Sequence, residues 1–116
     1  MTKKIVINRR FGGFSLSHDA VVRYHELKGN NIVMEYDDKF HFFSYYMNEK
    51  TEDNYWNAHD IPRDDPTLIQ VIEELGEGAD GDYAELKIVE IPDDVEWYID
   101  DYDGIESVNE RHRSWF

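Results

Sequence analysis

Two stretches of the chain repeat apolar residues at the spacing of an amphipathic helix. The first helix is predicted between Ser17, its N-cap, and Gly29, where it stops, and its apolar positions are Ala20, Val21, Tyr24 and Leu27. The second begins at Asp65-Pro66, a capping acid followed by proline at the first helical position. Its apolar positions are Leu68, Val71, Ile72 and Leu75, and Gly76 ends it.

Strand patterns occupy much of the remaining chain. The predicted strands are 3–8, 31–36, 40–47, 83–91 and 95–100, with a last strand from Ile105. A turn at Asp37-Asp38-Lys39 joins the second and third strands, and a turn at 101–104 precedes the last. This order predicts an α+β fold with one mixed, mostly antiparallel sheet of about five to six strands and both helices on one face.

The run Phe40-His41-Phe42-Phe43-Ser44-Tyr45-Tyr46 is too aromatic for one face of its strand to stand in water. Either other elements cover both faces, or one face is a binding surface.

The length of 116 residues predicts a single domain, residues 1–116, with one core. The aromatic content of 15% separates this chain from disordered acidic sequences, which have few aromatic residues. There is no cysteine, which excludes a disulfide framework and thiolate metal sites. No signal peptide or membrane-spanning run is apparent, so the cytoplasm is the expected location.

Acidic charge dominates the composition. The chain has 26 Asp and Glu residues against 12 Lys and Arg residues, a formal net charge of −14. Residues 1–30 are net basic, whereas the stretch from Glu73 to Glu110 has one base, Lys87. Such a surface repels nucleic acids and anionic membranes because it lacks cations to neutralise phosphate. The charge indicates either solubility alone or docking onto a basic surface of a partner protein.

The residues typical of catalysis and metal binding form no known motif. The five histidines lack ligand spacing and are expected to be scattered over the surface, and no serine lies in a nucleophile elbow. Asp101, Asp103, Gly104 and Glu110 match a calcium loop only in part, because Ile99 stands where the first ligand belongs. We therefore expect no catalytic residue, metal or cofactor.

The junction Asn8 to Ser17 is the best local candidate for a small ligand. Arg9 and Arg10, the pair Gly12-Gly13 and the start of the first helix could together hold a phosphorylated or nucleotide ligand. Neither established phosphate-loop motif is present, so the simpler explanation is a tight turn whose arginines pair with surplus acids.

Aromatic residues near the end of the chain indicate an interface, because Tyr and Trp are enriched at interaction hot spots. Tyr98, Tyr102 and Trp115 are the aromatic side chains expected to be partly exposed, and Trp97 is expected in the core.

Three segments together resemble a group of small tailed-bacteriophage proteins to which no activity is assigned. The segments are 4–8 with Gly12-Gly13-Phe14-Ser15-Leu16-Ser17, 61–66 with Leu75-Gly76, and 88–97 continuing through 102–104 to His112-Arg113. Members of that group often have a Cys-Tyr pair where this chain has Arg10-Phe11, so no chemistry of the loop is carried over. The resemblance implies a phage accessory protein made inside a bacterium.

The leading hypothesis is a phage-encoded acidic protein that binds a host protein with a basic surface. It would act as a host-takeover or anti-defence inhibitor, with imitation of DNA charge as one mechanism. The predicted partner-binding residues are Asp93, Asp94, Asp100, Asp101, Tyr102, Asp103 and Glu106. The alternatives are a binder or enzyme for a phosphorylated ligand at Arg9, Arg10, Gly12 and Gly13, and a virion structural or assembly protein.

Overall fold

The computed structural model describes residues 1–110 and the backbone of Ser114 and Trp115. Its elements in chain order are β1 (Thr2–Asn8), α1 (His18–Lys28), β2 (Ile32–Asp37), β3 (Phe42–Met47), β4 (Tyr55–Trp56), α2 (Pro66–Leu75), β5 (Leu86–Pro92), β6 (Tyr98–Tyr102), β7 (Ile105–Asn109) and β8 (Ser114–Trp115). Short 3-10 turns lie at Glu52–Asn54, Ala58–Asp60 and Gly76–Ala79. The α+β class is confirmed. No helix in this part of the chain is long and apolar enough to cross a membrane.

Both predicted helices are confirmed, because their boundaries are set by local capping. The Ser17 hydroxyl accepts a hydrogen bond from the Ala20 N–H, and α1 ends at Gly29, whose φ of 71° is the left-handed conformation that glycine adopts easily. The Asp65 carboxylate accepts hydrogen bonds from the N–H groups of Thr67 and Leu68 at the start of α2. Local side-chain chemistry is therefore enough to define both helices.

The strands are antiparallel, as expected, but they form three small sheets instead of one: β1–β5, β2–β3–β4 and β6–β7–β8. A non-strand segment occupies part of the free edge of β1, where the Val6 N–H donates to the Arg63 carbonyl over 2.8 Å. No further strand can pair with β1 at that position. The sheet of β1 and β5 is two-stranded in the described part of the chain.

The core lies on both faces of β1. Side chains alternate between the two faces of a strand, and Val6 packs with Leu68 and Val71 of α2. Ile5 and Ile7 point the other way and pack with Val108 of β7. The β1–β5 sheet is thus a middle layer between the helices and the β6–β7 hairpin.

The β2–β3 hairpin has a longer turn than predicted. The Asp37 carboxylate accepts hydrogen bonds from the N–H groups of Lys39 and Phe40, and His41 has a φ of 56°. Phe40 and His41 therefore belong to the turn, and β3 begins at Phe42.

One histidine departs from the expected surface placement. His25 of α1 is only 1% exposed, and its ring meets the edge of Trp56 at a centroid distance of 4.5 Å. Its Nδ1 lies 3.1 Å from the Asn30 side chain, and its Nε2 has no hydrogen-bond partner within the described residues. Burial lowers the pKa of this histidine, because a charged imidazole is poorly solvated there. The surface expectation is wrong for His25.

Candidate partner-binding surface

The predicted acidic residues lie on one stretch of the surface, residues 93–103, here called the acidic segment. Asp93 and Asp94 lie in the turn after β5, whereas Asp100, Asp101 and Asp103 lie on β6 and in its following turn. All five are exposed. The fold therefore presents these carboxylates to solvent.

The outward face of β6 combines aromatic rings with a carboxylate. Tyr98, Asp100 and Tyr102 occupy every second position of β6, so they share one face of the strand. Tyr98 is 57% exposed and Tyr102 is 74% exposed, which confirms the exposure expected of both. Trp97 packs against the core cluster of β1, β5 and β7. The side chain of Trp115 lies outside the described residues.

Two of the predicted acids, Asp101 and Asp103, also have a structural role in the β6–β7 turn. Asp103 and Gly104 both have positive φ, 50° and 93°, as a type I′ hairpin turn requires. The Asp101 carboxylate accepts a hydrogen bond from the Gly104 N–H over 2.7 Å. Asp101 and Asp103 therefore stabilise the turn and also contribute negative charge to the surface.

The prediction that Glu106 belongs to the partner-binding surface is wrong, because its side chain is buried and the residue is only 4% exposed. Its carboxylate accepts hydrogen bonds from both terminal nitrogens of Arg63, over 2.6 and 2.9 Å, and from the Asn8 N–H over 2.8 Å. Glu106 is thus an internal counter-ion and is unavailable to a partner. The alternation of β7 contains this information, since Glu106 shares a face with the buried Val108.

The Arg9 to Gly13 loop, predicted as an alternative ligand site, packs against the tip of the same hairpin. The fully buried side chain of Asn8 donates hydrogen bonds to the carbonyls of Arg10 and Gly104, over 2.7 and 2.6 Å. A Cβ placed on Gly104 would lie 2.9 Å from the Gly12 nitrogen and closer still to that of Gly13. Only glycine permits so close an approach.

This packing occupies hydrogen-bond donors of the loop that a phosphate would need. The Arg9 guanidinium donates to the Glu106 carbonyl over 2.7 Å, and the Gly12 N–H donates to the Asp103 carbonyl over 3.4 Å. Arg10 is exposed at the surface. The two sites that the sequence presents as alternatives are therefore neighbours, and the loop supports the acidic hairpin. Asn8 and Arg63, which make this support, were not identified from the sequence.

Near the N-terminus, the Lys3 ammonium donates a hydrogen bond to the Val95 carbonyl of the acidic segment over 3.3 Å, whereas three other basic residues are paired with acids outside that segment. The ion pairs are Lys4–Glu73 at 3.0 Å, Arg23–Glu74 at 2.9 Å and Lys28–Asp65 at 3.3 Å. Within the described ranges, none of the carboxylates of Asp93, Asp94, Asp100 and Asp103 has an ion-pair partner. These three cations therefore lie against acids of α2 and its N-cap.

A shallow groove of about 770 Å³ runs beside the acidic segment. Acidic and aromatic side chains dominate its lining, which consists of Asp94, Val95, Glu96, Trp97, Tyr98 and Glu110. Such a lining suits the long apolar stem and cationic head of a Lys or Arg side chain.

No group of three or more His, Asp or Glu side chains in the described part of the chain is placed to hold a metal ion.

No family model matches the chain, and no curated protein or solved structure matches it either.

Proposed function

We propose that the protein binds a basic surface of another protein through the acidic segment. The observation that carries this proposal is the outward face of β6, where Tyr98 and Tyr102 flank Asp100 among carboxylates without ion-pair partners in the described residues. Exposed tyrosines supply contact area at low entropic cost, and the charge steers a basic partner into encounter.

The phage context implied by the sequence resemblance identifies the partner class. The partner in this proposal is a host protein in the bacterial cytoplasm, either a nucleic-acid-binding enzyme or a defence protein. Its phosphate-binding surface is basic, so a compact acidic protein can occupy that surface and inhibit it by imitating the charge of DNA.

The alternative, a phosphorylated ligand at Arg9, Arg10, Gly12 and Gly13, has less support. The Arg9 guanidinium and the Gly12 N–H already bond to the β6–β7 hairpin. A virion structural role has no specific observation in its favour.

Affinity capture from bacterial lysate, eluted with rising salt, gives the first test. We expect one host protein with a basic surface to leave at moderate salt, since exposed charge pairs are screened beyond about 10 Å at 0.1 M. Absence of any captured protein at every salt concentration would contradict the proposal.

Charge-matched variants then test the surface itself with the captured partner. Asp93→Asn, Asp100→Asn and Asp103→Asn combined should weaken binding about tenfold, from roughly 0.5 kcal/mol for each exposed pair. Asparagine tolerates the positive φ of Asp103, so the turn should survive. Glu52→Gln, Asp53→Asn and Asp60→Asn remove the same charge elsewhere on the exposed surface and should leave affinity unchanged. Equal losses from both sets would show that only net charge matters.

A further inference from the structure

A cavity of about 490 Å³ opens between β3, residues 81–83 and the segment from Gly12 to the start of α1. Of the predicted alternative ligand site, Gly12 lines this cavity, whereas Arg9 and Arg10 do not. Its volume falls within the range of about 300 to 1,000 Å³ that is typical of small-molecule sites. Aromatic and imidazole rings dominate its lining, including Phe42, Phe43, Tyr45, Tyr83, His18 and His59.

The wall formed by β3 is held in place by stacked rings. The imidazole of His18 lies parallel to Phe43 at a centroid distance of 3.9 Å and an angle of 20°. Its Nδ1 lies 2.9 Å from the Tyr45 hydroxyl. Burial, with a smaller contribution from the Asp19 charge, raises the pKa of Tyr45 to about 12, so this phenol stays neutral. These contacts fix the ring positions before any ligand enters.

Other aromatic side chains at the cavity remain largely open to solvent. Phe42 is 48% exposed and Tyr83 is 68% exposed. Tyr83 is held against the loop, because a Cβ on Gly12 would lie 2.6 Å from the Tyr83 Cβ. Aromatic rings that line a preformed cavity and remain exposed to solvent are typical of a ligand-binding site.

The charge of the cavity selects the kind of ligand. Asp82 is the one charged residue among those that line it in the described part of the chain, and no Lys or Arg lines it. The whole chain carries a net charge of −14, which concentrates cations near its surface and repels anions. A phosphorylated ligand is therefore disfavoured at this cavity.

We propose that this cavity binds a small organic cation that carries a methylated ammonium group. Cations are attracted to the faces of aromatic rings, and aromatic cages commonly recognise quaternary ammonium groups. In this arrangement the methyl groups contact the exposed rings of Phe42 and Tyr83, and the Asp82 carboxylate balances the charge. The inference is independent of the acidic segment.

Calorimetric titration of the full-length chain with choline tests the proposal. The matched comparison is the neutral alcohol in which a tert-butyl group replaces the trimethylammonium group of choline. The two molecules have the same shape, so the difference in affinity isolates the charge. We expect choline to bind at least about tenfold more tightly, the ratio that a partly desolvated cation–π contact provides.

Three results would overturn the proposal. Equal or tighter binding of the neutral alcohol would make the cavity a simple apolar pocket. If adenosine monophosphate bound more tightly than choline, the cavity would be an anion site. Failure of choline, tetramethylammonium and trimethyllysine to bind at all would remove the cation site.

Paired variants locate the site without disturbing the fold. Asp82→Asn should weaken choline binding several-fold and leave the neutral alcohol unaffected, whereas Asp64→Asn, at another exposed acid, should change neither. Phe42→Leu should weaken choline binding, and Phe11→Leu, at an exposed phenylalanine outside the cavity lining, should not. Equal effects within either pair would contradict the assigned position.

Discussion

The helical part of the molecule and the acidic segment use their carboxylates in opposite ways. Around α2, Asp65, Glu73 and Glu74 each contact a Lys or Arg from the first 28 residues. Along residues 93–103 the acids are denser in sequence, and none of them has an ion-pair partner among the described residues. Net charge alone does not distinguish the two regions, because pairing in the tertiary structure decides which acids remain available.

The same contrast recurs inside a single hairpin. Asp101 and Glu106 are opposite each other in the register of β6 and β7, and Asp100 is adjacent. Asp100 and Asp101 are exposed, whereas Glu106 is enclosed by Arg63 and Asn8. The hairpin thus has one carboxylate for stability and several for its surface, and substitutions should separate these roles.

The largest effect is expected at Glu106. Glu106→Ala leaves the Arg63 guanidinium and the Asn8 N–H without their buried partner, so we expect the free energy of unfolding to fall by about 3 kcal/mol. Urea denaturation measures this loss. Asp100→Ala, on the open side of the same hairpin, should change it by no more than about 0.5 kcal/mol. A small loss at Glu106 would remove the distinction between the two carboxylates. Replacing both partners, as Arg63→Met with Glu106→Leu, should cost less than Glu106→Ala alone.

A smaller effect is expected at Asp65, which joins the two helices. Its carboxylate caps α2, accepts the Tyr24 hydroxyl over 2.9 Å and contacts Lys28. Asp65→Asn keeps a capping oxygen but loses the charge, so stability should fall by about 1 kcal/mol at neutral pH.

The pH dependence of this loss follows from the direction of the Asp65 shift. Burial alone would raise its pKa, but the Thr67 N–H, the Tyr24 hydroxyl and Lys28 together lower the pKa below the ordinary value of 3.8. The unfolded chain therefore binds a proton more readily than the folded chain. The stabilisation is present above the unfolded pKa and is lost as pH falls through the folded pKa. Urea midpoints of the two proteins should converge over that interval, and a gap that persists in acid would contradict this account. Asp64→Asn is the exposed control.

The smallest effect is expected at the surface pair Arg23–Glu74. Both side chains are well exposed, and solvent and salt screen such a pair strongly. Arg23→Gln should lower the Tm only slightly, and the difference should vanish in about 1 M salt, where the Debye length is about 3 Å. A salt-independent loss would mean that the Arg23 stem stabilises the fold by packing.

Features defined by neighbouring residues could be predicted from the sequence. Ser17 and Gly29 bound α1, Asp65-Pro66 starts α2, and Asp103-Gly104 makes the hairpin turn, because each works within a few residues of chain. The exposure of Tyr98 and Tyr102, which the preference of tyrosine for interfaces predicted, is also found.

Features that depend on distant contacts could not be predicted. The Arg63 carbonyl that bonds to β1 comes from a distant part of the chain. The alternation of β7 places Glu106 on the inward face, but it does not identify the partners Arg63 and Asn8, which are 43 and 98 residues away. The cavity likewise needs β3, α1 and residues 81–83 to meet. A local pattern indicates that Phe42 and Phe43 need a cover or a ligand, but it does not show what stands opposite them.

The contacts of Asn8 also affect the order in which parts of the chain fold. Its bonds to Gly104 and Glu106 close loops of 96 and 98 residues, and the partner of β1 is β5, late in the chain. Contacts between such distant residues slow folding, because the chain must close a large loop before the contacts stabilise it. We expect the hairpin to be ordered late, after β1 and β5 have paired. A peptide of residues 93–110 should therefore be a poor substitute for the protein, and a nascent chain should gain its binding surface only after Glu106 has left the ribosome.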